Sequence, residues 1–156
     1  MLSSRRSLFG SLLAALVPLA RNLSGDESQS DPWSARELLP PAALAKMLDA
    51  PAEKPAIICV AFPFLYRQKH IAGAKFAGPA SKTEGIAALK QAVAPLPHDA
   101  AIVLYCGCCP IVRCPNIRPA FRTVKALGYT NVRVLNLASS FRADWENKGY
   151  PVASPS

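Results

Sequence analysis

The sequence predicts an α/β domain in which a central parallel sheet is flanked by helices on both faces. Three observations carry that expectation. Short apolar runs rich in Ile, Val and Leu recur at residues 56–62 (AIICVAF), 100–106 (AAIVLYC) and 131–137 (NVRVLNL), and unbroken runs of that length read as strands buried on both faces. Segments with a helical spacing of apolar residues lie between them, and parallel strands need crossover connections that usually contain a helix. With 156 residues, 51% hydrophobic and 18% charged, the chain is globular in composition and long enough for one domain that buries its own core.

Each element has a local reason. Residues 21–32 (RNLSGDESQSDP) are polar and aperiodic, as in a linker, so the domain is expected over 33–152 with 153–156 a tail. Pro41 opens a helix over Pro41–Asp49, with Ala42, Leu44, Ala45 and Leu48 on its apolar face and Pro51 beyond its end. The first strand lies between Pro55 and Pro63, with Cys59 in its middle. Ile86, Leu89 and Val93 mark a helix that stops at Pro95, and the second strand ends at Cys106. A further helix with Ala120, Phe121, Val124 and Leu127 inward is closed by Gly128. The third strand comes next, then a short helix within 140–150 (SFRADWENKGY).

Residues 3–20 (SSRRSLFGSLLAALVPLA) have a charged start, an apolar run from Leu8 to Leu19 and a small residue at Ala20, the layout of an export signal over 1–20. The apolar run is shorter than the roughly 20 residues that span a bilayer. Arg5 and Arg6 after Ser4 resemble a twin-arginine signal, so a periplasmic or otherwise exported protein is expected, touching membrane only through this segment. The net charge is +8, and the signal holds only two of 18 basic residues. A basic body suits a small anion; no run of four Lys or Arg occurs and aromatics are not interleaved with them, which argues against nucleic acid.

Four of five cysteines fall in residues 105–121, YCGCCPIVRCPNIRPAF. Cys106 ends a strand, and in parallel sheets ligands bind outside the carboxyl ends of the strands. In an oxidising compartment thiols tend to pair, and an odd count leaves one over. Neighbouring Cys108 and Cys109 would need strained geometry to bond each other, so pairing with Cys114 or Cys106 is easier. A metal alternative uses Cys106, Cys108, Cys109 and Cys114 as ligands for zinc or an iron–sulfur cluster, although the spacing C-x-C-C-x4-C differs from paired zinc knuckles. Cys114 precedes Pro115, and either it or Asn116 is the N-cap of the next helical segment, which places Cys114 near a positive helix end. Arg113 and Arg118 flank the loop and are candidates to hold a sulfur anion.

Several of these pieces together resemble the rhodanese family of sulfurtransferases: the strand IVLYC, the cysteine loop, AFRTVKALGYTNVRVL, DWENKGYPV and, upstream, HIAGA at 70–74. The resemblance covers roughly residues 33–152. It implies that Cys106 accepts a sulfane sulfur as a persulfide from a donor such as thiosulfate and passes it to a thiol or other acceptor, a protein thiol included, without a cofactor. It also implies a loop whose N–H groups point at Cys106 and lower its pKa from about 8.5. Cys114, or one of Cys108 and Cys109, then resolves or relays the sulfur. The chain departs from the family pattern in reading Cys59-Val60-Ala61 where Asp-Val-Arg is common, and in a longer loop with three extra cysteines and two prolines.

Overall fold

The computed structural model describes residues 30–52 and 54–154. The expected signal over 1–20 and nearly all of the linker lie outside the described residues. The chain divides after Ser30, and the compact unit begins at Asp31.

The unit is built on five parallel strands in the order β1-β6-β5-β2-β4, with helices packed around them as expected. The three inner strands are those the apolar runs predict: β2 at Ala56–Cys59, β5 at Ile102–Tyr105 and β6 at Val132–Leu135. β5 lies at the centre, pairing with β2 from Ala56↔Ile102 to Cys59↔Tyr105 and with β6 from Ile102↔Val132 to Leu104↔Val134. All four of its side chains are buried, which is why it carries no polar alternation. The flanking strands, β1 at Leu38–Leu39 and β4 at Lys75–Phe76, are two residues each. A separate antiparallel pair joins β3 at His70–Ile71 to β7 at Val152–Ala153.

Helix α1 spans Pro41–Asp49 with proline in its first turn, as read from the sequence. Helix α2 at Pro63–Gln68 was not expected: Pro63, read as the end of a strand, opens this helix instead. Cys59 consequently stands at the end of β2 and not in its middle. Helix α3 runs Thr83–Val93 and α4 Ile117–Ala126. Gly128 comes after α4 with φ +91°, a left-handed turn that glycine adopts without strain. The last expected helix is broken in two, α5 at Phe141–Asp144 and a 3-10 turn at Glu146–Lys148, because Trp145 between them leaves helical geometry (φ −126°, ψ −64°). Its indole is fully buried and donates to Pro151 O at 2.9 Å, a pull inward that outweighs helix continuation. Among the described residues no helix is long and apolar enough to cross a membrane.

Candidate active site

Cys106 stands directly after β5, at the carboxyl end of the sheet, and begins a loop that returns to α4 at Asn116. Gly107 turns the chain with φ +78°, and a Cβ there would lie 2.8 Å from Phe141 Cβ, so both backbone and space require glycine. Beyond Pro110 the loop tightens into a 3-10 turn at Ile111–Arg113, fixed by Ile111 N donating to Leu137 O at 3.0 Å and Cys114 N to Ile111 O at 3.1 Å. Arg118 fastens the turn to α4. Its guanidinium donates to the carbonyls of Val112 at 3.2 Å and Cys114 at 3.4 Å, pairs with Asp31 at 2.6 Å, and lies over the Trp33 ring.

That architecture gathers the sulfurs. Cys106 Sγ donates to Cys108 Sγ at 3.2 Å, and Cys108 Sγ lies 3.2 Å from Cys109 Sγ and 3.9 Å from Cys114 Sγ. All five cysteines, Cys59 included, are free thiols. The sulfurs of Cys106, Cys108 and Cys114 all lie within 4.8 Å of one another, a soft donor set able to hold a metal, whereas Cys109 falls outside it. Cys106 and Cys114 are buried; Cys108 and Cys109 are partly exposed.

Negative charge in this cluster settles on Cys114. Hydrogen bonds from Cys106 and Cys108, and from the backbone N–H groups of Asn116 and Ile117 at the start of α4, hold its thiol well below the ordinary value of 9.0. The Cys106 thiol moves the other way: its hydrogen bonds with Cys108 and Cys114, and its burial, push it far up. The expected lowering at Cys106 is therefore not found, because the helix N-terminus serves Cys114. Cys108 is pushed up to about 12; the bond from Cys106 lowers it, and contact with Cys114 together with burial more than offsets that. One donor does reach Cys106 from outside the cluster. Asn116 Nδ2 donates to its sulfur at 3.3 Å, while Asn116 Oδ1 accepts the Ser81 N–H at 2.9 Å. Asn116 is fully buried and its side chain caps nothing, so the expected competition between Cys114 and Asn116 for an N-cap has a different outcome: the side chain bridges two segments instead.

Cys106 and Gly107 form part of the wall of a cavity of about 380 Å3, closed by Cys59, Tyr66, Tyr105 and Phe141. Its cations are Lys69 and Arg142; Arg113 and Arg118 do not line it. Lys69 pairs with Glu146 at 3.2 Å, and none of the ion pairs among the described residues uses Arg142. Arg113 is exposed at the end of the loop turn, and its charge only partly offsets the burial that pushes the Cys109 thiol up. Sequence reasoning did not single out Lys69 or Arg142, and it read Asn116 only as a candidate N-cap and not as a partner of Cys106. For Asn116 a signal existed: with Ala120 and Val124 it falls at i, i+4 and i+8, so it shares the buried stripe of α4.

A parallel α/β domain with a loop of free thiols after its central strand, beside a cavity, is what the fold and the site define together. The model of the rhodanese-like domain matches residues 40–140, and the chain belongs to that family. Its fold resembles the rhodanese-like domain of the Alr3790 protein from Anabaena sp., solved in solution (18% identity, 76% of this chain and 80% of that one, TM-score 0.56). It also resembles the BH2092 protein from Bacillus halodurans (19% identity, 74% and 75%, TM-score 0.58). At such identities the likeness is one of fold. No curated protein matches the chain.

Proposed function

We propose that the domain is a sulfurtransferase in which Cys106 carries the sulfur. The observation that supports this most strongly is the hydrogen-bonded chain from Cys106 Sγ through Cys108 Sγ to Cys114 Sγ, with Cys106 opening on the cavity. A protonated thiol is a poor nucleophile, and a neighbouring base is the usual remedy. Here the cluster holds one negative charge, which rests on Cys114 and has to move to Cys106 for attack; because Cys114 is a weak base, that transfer is uphill and is completed only as the bond to the donor sulfur forms. As Cys106 Sγ attacks the outer sulfur of a sulfane donor, its proton moves to Cys108 and the proton of Cys108 to Cys114. With thiosulfate, the new Cys106 S–S bond forms as the donor S–S bond breaks, and sulfite leaves with the electron pair. A thiolate acceptor then attacks the terminal sulfur and becomes a persulfide, and Cys106 leaves as thiolate and recovers its proton.

Arg142 is the cation best placed to hold the donor anion, with Lys69 beside it at the cavity wall. Arg118 acts at one remove, by holding the loop. Cys109, on the solvent side of Cys108, suits a relay to a thiol-bearing protein. The cycle needs no cofactor, and the signal-like segment over 1–20 supports export by a twin-arginine-type route. Rhodanese-like domains also include catalytically silent members, so the test is turnover. Thiosulfate and a thiol or cyanide acceptor should yield sulfite with the wild type and none with Cys106→Ser. Equal rates for the two would remove Cys106 from this role.

A further inference from the structure

The same sulfurs satisfy a second geometric condition that sulfur transfer does not require. Cys106, Cys108 and Cys114 form a triangle with sides of 3.2 Å, 3.9 Å and at most 4.8 Å. The point equidistant from all three corners lies inside that triangle, no more than about 2.4 Å from each sulfur, and metal–thiolate bonds are about 2.3 Å long in zinc sites. A bare ion thus fits among three sulfurs with little movement of the backbone. The ring is held from outside, since Asn116 Nδ2 donates to Cys106 Sγ at 3.3 Å. Such outer hydrogen bonds orient ligands and tune their affinity.

We propose that Cys106, Cys108 and Cys114 form a three-thiolate site for one soft monovalent ion, Cu(I). Thiolates select Cu(I), zinc or iron–sulfur clusters, and zinc and clusters take tetrahedral sulfur sets. A fourth thiolate that would close a tetrahedral zinc or cluster site is not supplied: Cys109 Sγ lies 3.2 Å from Cys108 Sγ but outside the set of three, and zinc held by three thiolates alone would need water as its fourth ligand. No histidine or carboxylate joins the group among the described residues. Three sulfurs with the ion near their plane suit a three-coordinate ion. Binding forms three Cu–S bonds and releases whatever protons the three sulfurs hold; no electron is exchanged. The inference stands on geometry and does not depend on sulfur transfer, but both use Cys106, so bound Cu(I) excludes the persulfide.

The full chain, purified anaerobically and without any sulfur donor, is titrated with Cu(I) against the chromophoric chelator bathocuproine disulfonate, and the loaded protein is examined by X-ray absorption at the copper edge. One equivalent is withdrawn from the chelator, and the first shell holds three sulfurs. Cys108→Ser and Cys114→Ser each weaken the affinity more than about 100-fold, beyond the effect of losing an outer-shell partner, with circular dichroism confirming that they fold. Cys109→Ser leaves affinity within a few-fold of wild type on the same reasoning. The proposal is overturned if the wild type takes no copper from the chelator, if the shell holds four sulfurs, if Cys109→Ser loses as much as Cys108→Ser, or if zinc displaces Cu(I) at equal concentration.

Discussion

Asn116 occupies the cap position of α4, yet its carboxamide joins Ser81 N to Cys106 Sγ. Removing it leaves a buried N–H at Ser81 without its acceptor, which typically costs about 1–3 kcal/mol. Asn116→Ala is therefore expected to lower unfolding free energy by that order in a denaturant titration and to slow sulfur transfer, since Cys106 loses its only side-chain donor outside the cluster. Cys114 is the residue whose charge the site depends on. Cys114→Ser is expected to reduce sulfite release well below wild type at neutral pH, with partial recovery as pH rises and hydroxide takes the thiol proton directly, which a pH–rate profile measures. That Cys106 and Cys114 stand at the two ends of the loop was legible from one strand end and one Cys-Pro pair. Which of them carries the charge was not, because it depends on sulfurs meeting across the loop and on N–H groups only the folded chain aligns.

At the scale of elements, the loop is a strut. Gly107 sets its entry and Arg118 its exit. Gly107→Ala places a side chain at φ +78° against Phe141 Cβ at 2.8 Å, and strain of that kind costs on the order of 1–3 kcal/mol. The expected result is a lower melting temperature together with loss of turnover, because Phe141 lines the cavity. Arg118→Met removes the donors to Val112 O and Cys114 O, and faster amide hydrogen exchange is expected across residues 111–114 while the β5 amides stay protected. The inner strands were legible as short apolar runs, and α1, α3 and α4 because each contains enough residues to show a helical period. β1, β3, β4 and β7 were not, because two residues have no period: β1 and β4 exist because the longer β6 and β2 offer them a ladder, and β3 and β7 because they pair with each other. Trp145, buried whole, broke a helix that its local sequence would otherwise have continued.

For the whole molecule, pH acts through thiols of opposite sign. Burial raises Cys59, and neighbouring thiols and burial raise Cys106; such groups contribute stability below the ordinary thiol value and lose it as pH rises through their folded values. Cys114, lowered in the fold, contributes stability above the ordinary value and loses it as pH falls through its folded value. Denaturant titrations should therefore show wild type gaining on Cys114→Ser as pH rises toward about 9, and Cys59→Ala losing less than wild type above it. Cys106 is proposed to carry the sulfur once the negative charge of the cluster reaches it. Native mass spectrometry of the anaerobically purified protein after incubation with thiosulfate, with fragmentation to locate any adduct, tests it most directly. One added sulfur is expected on Cys106; a sulfur located on Cys109 or Cys114 instead, or no adduct on a folded protein, would remove Cys106 from this role.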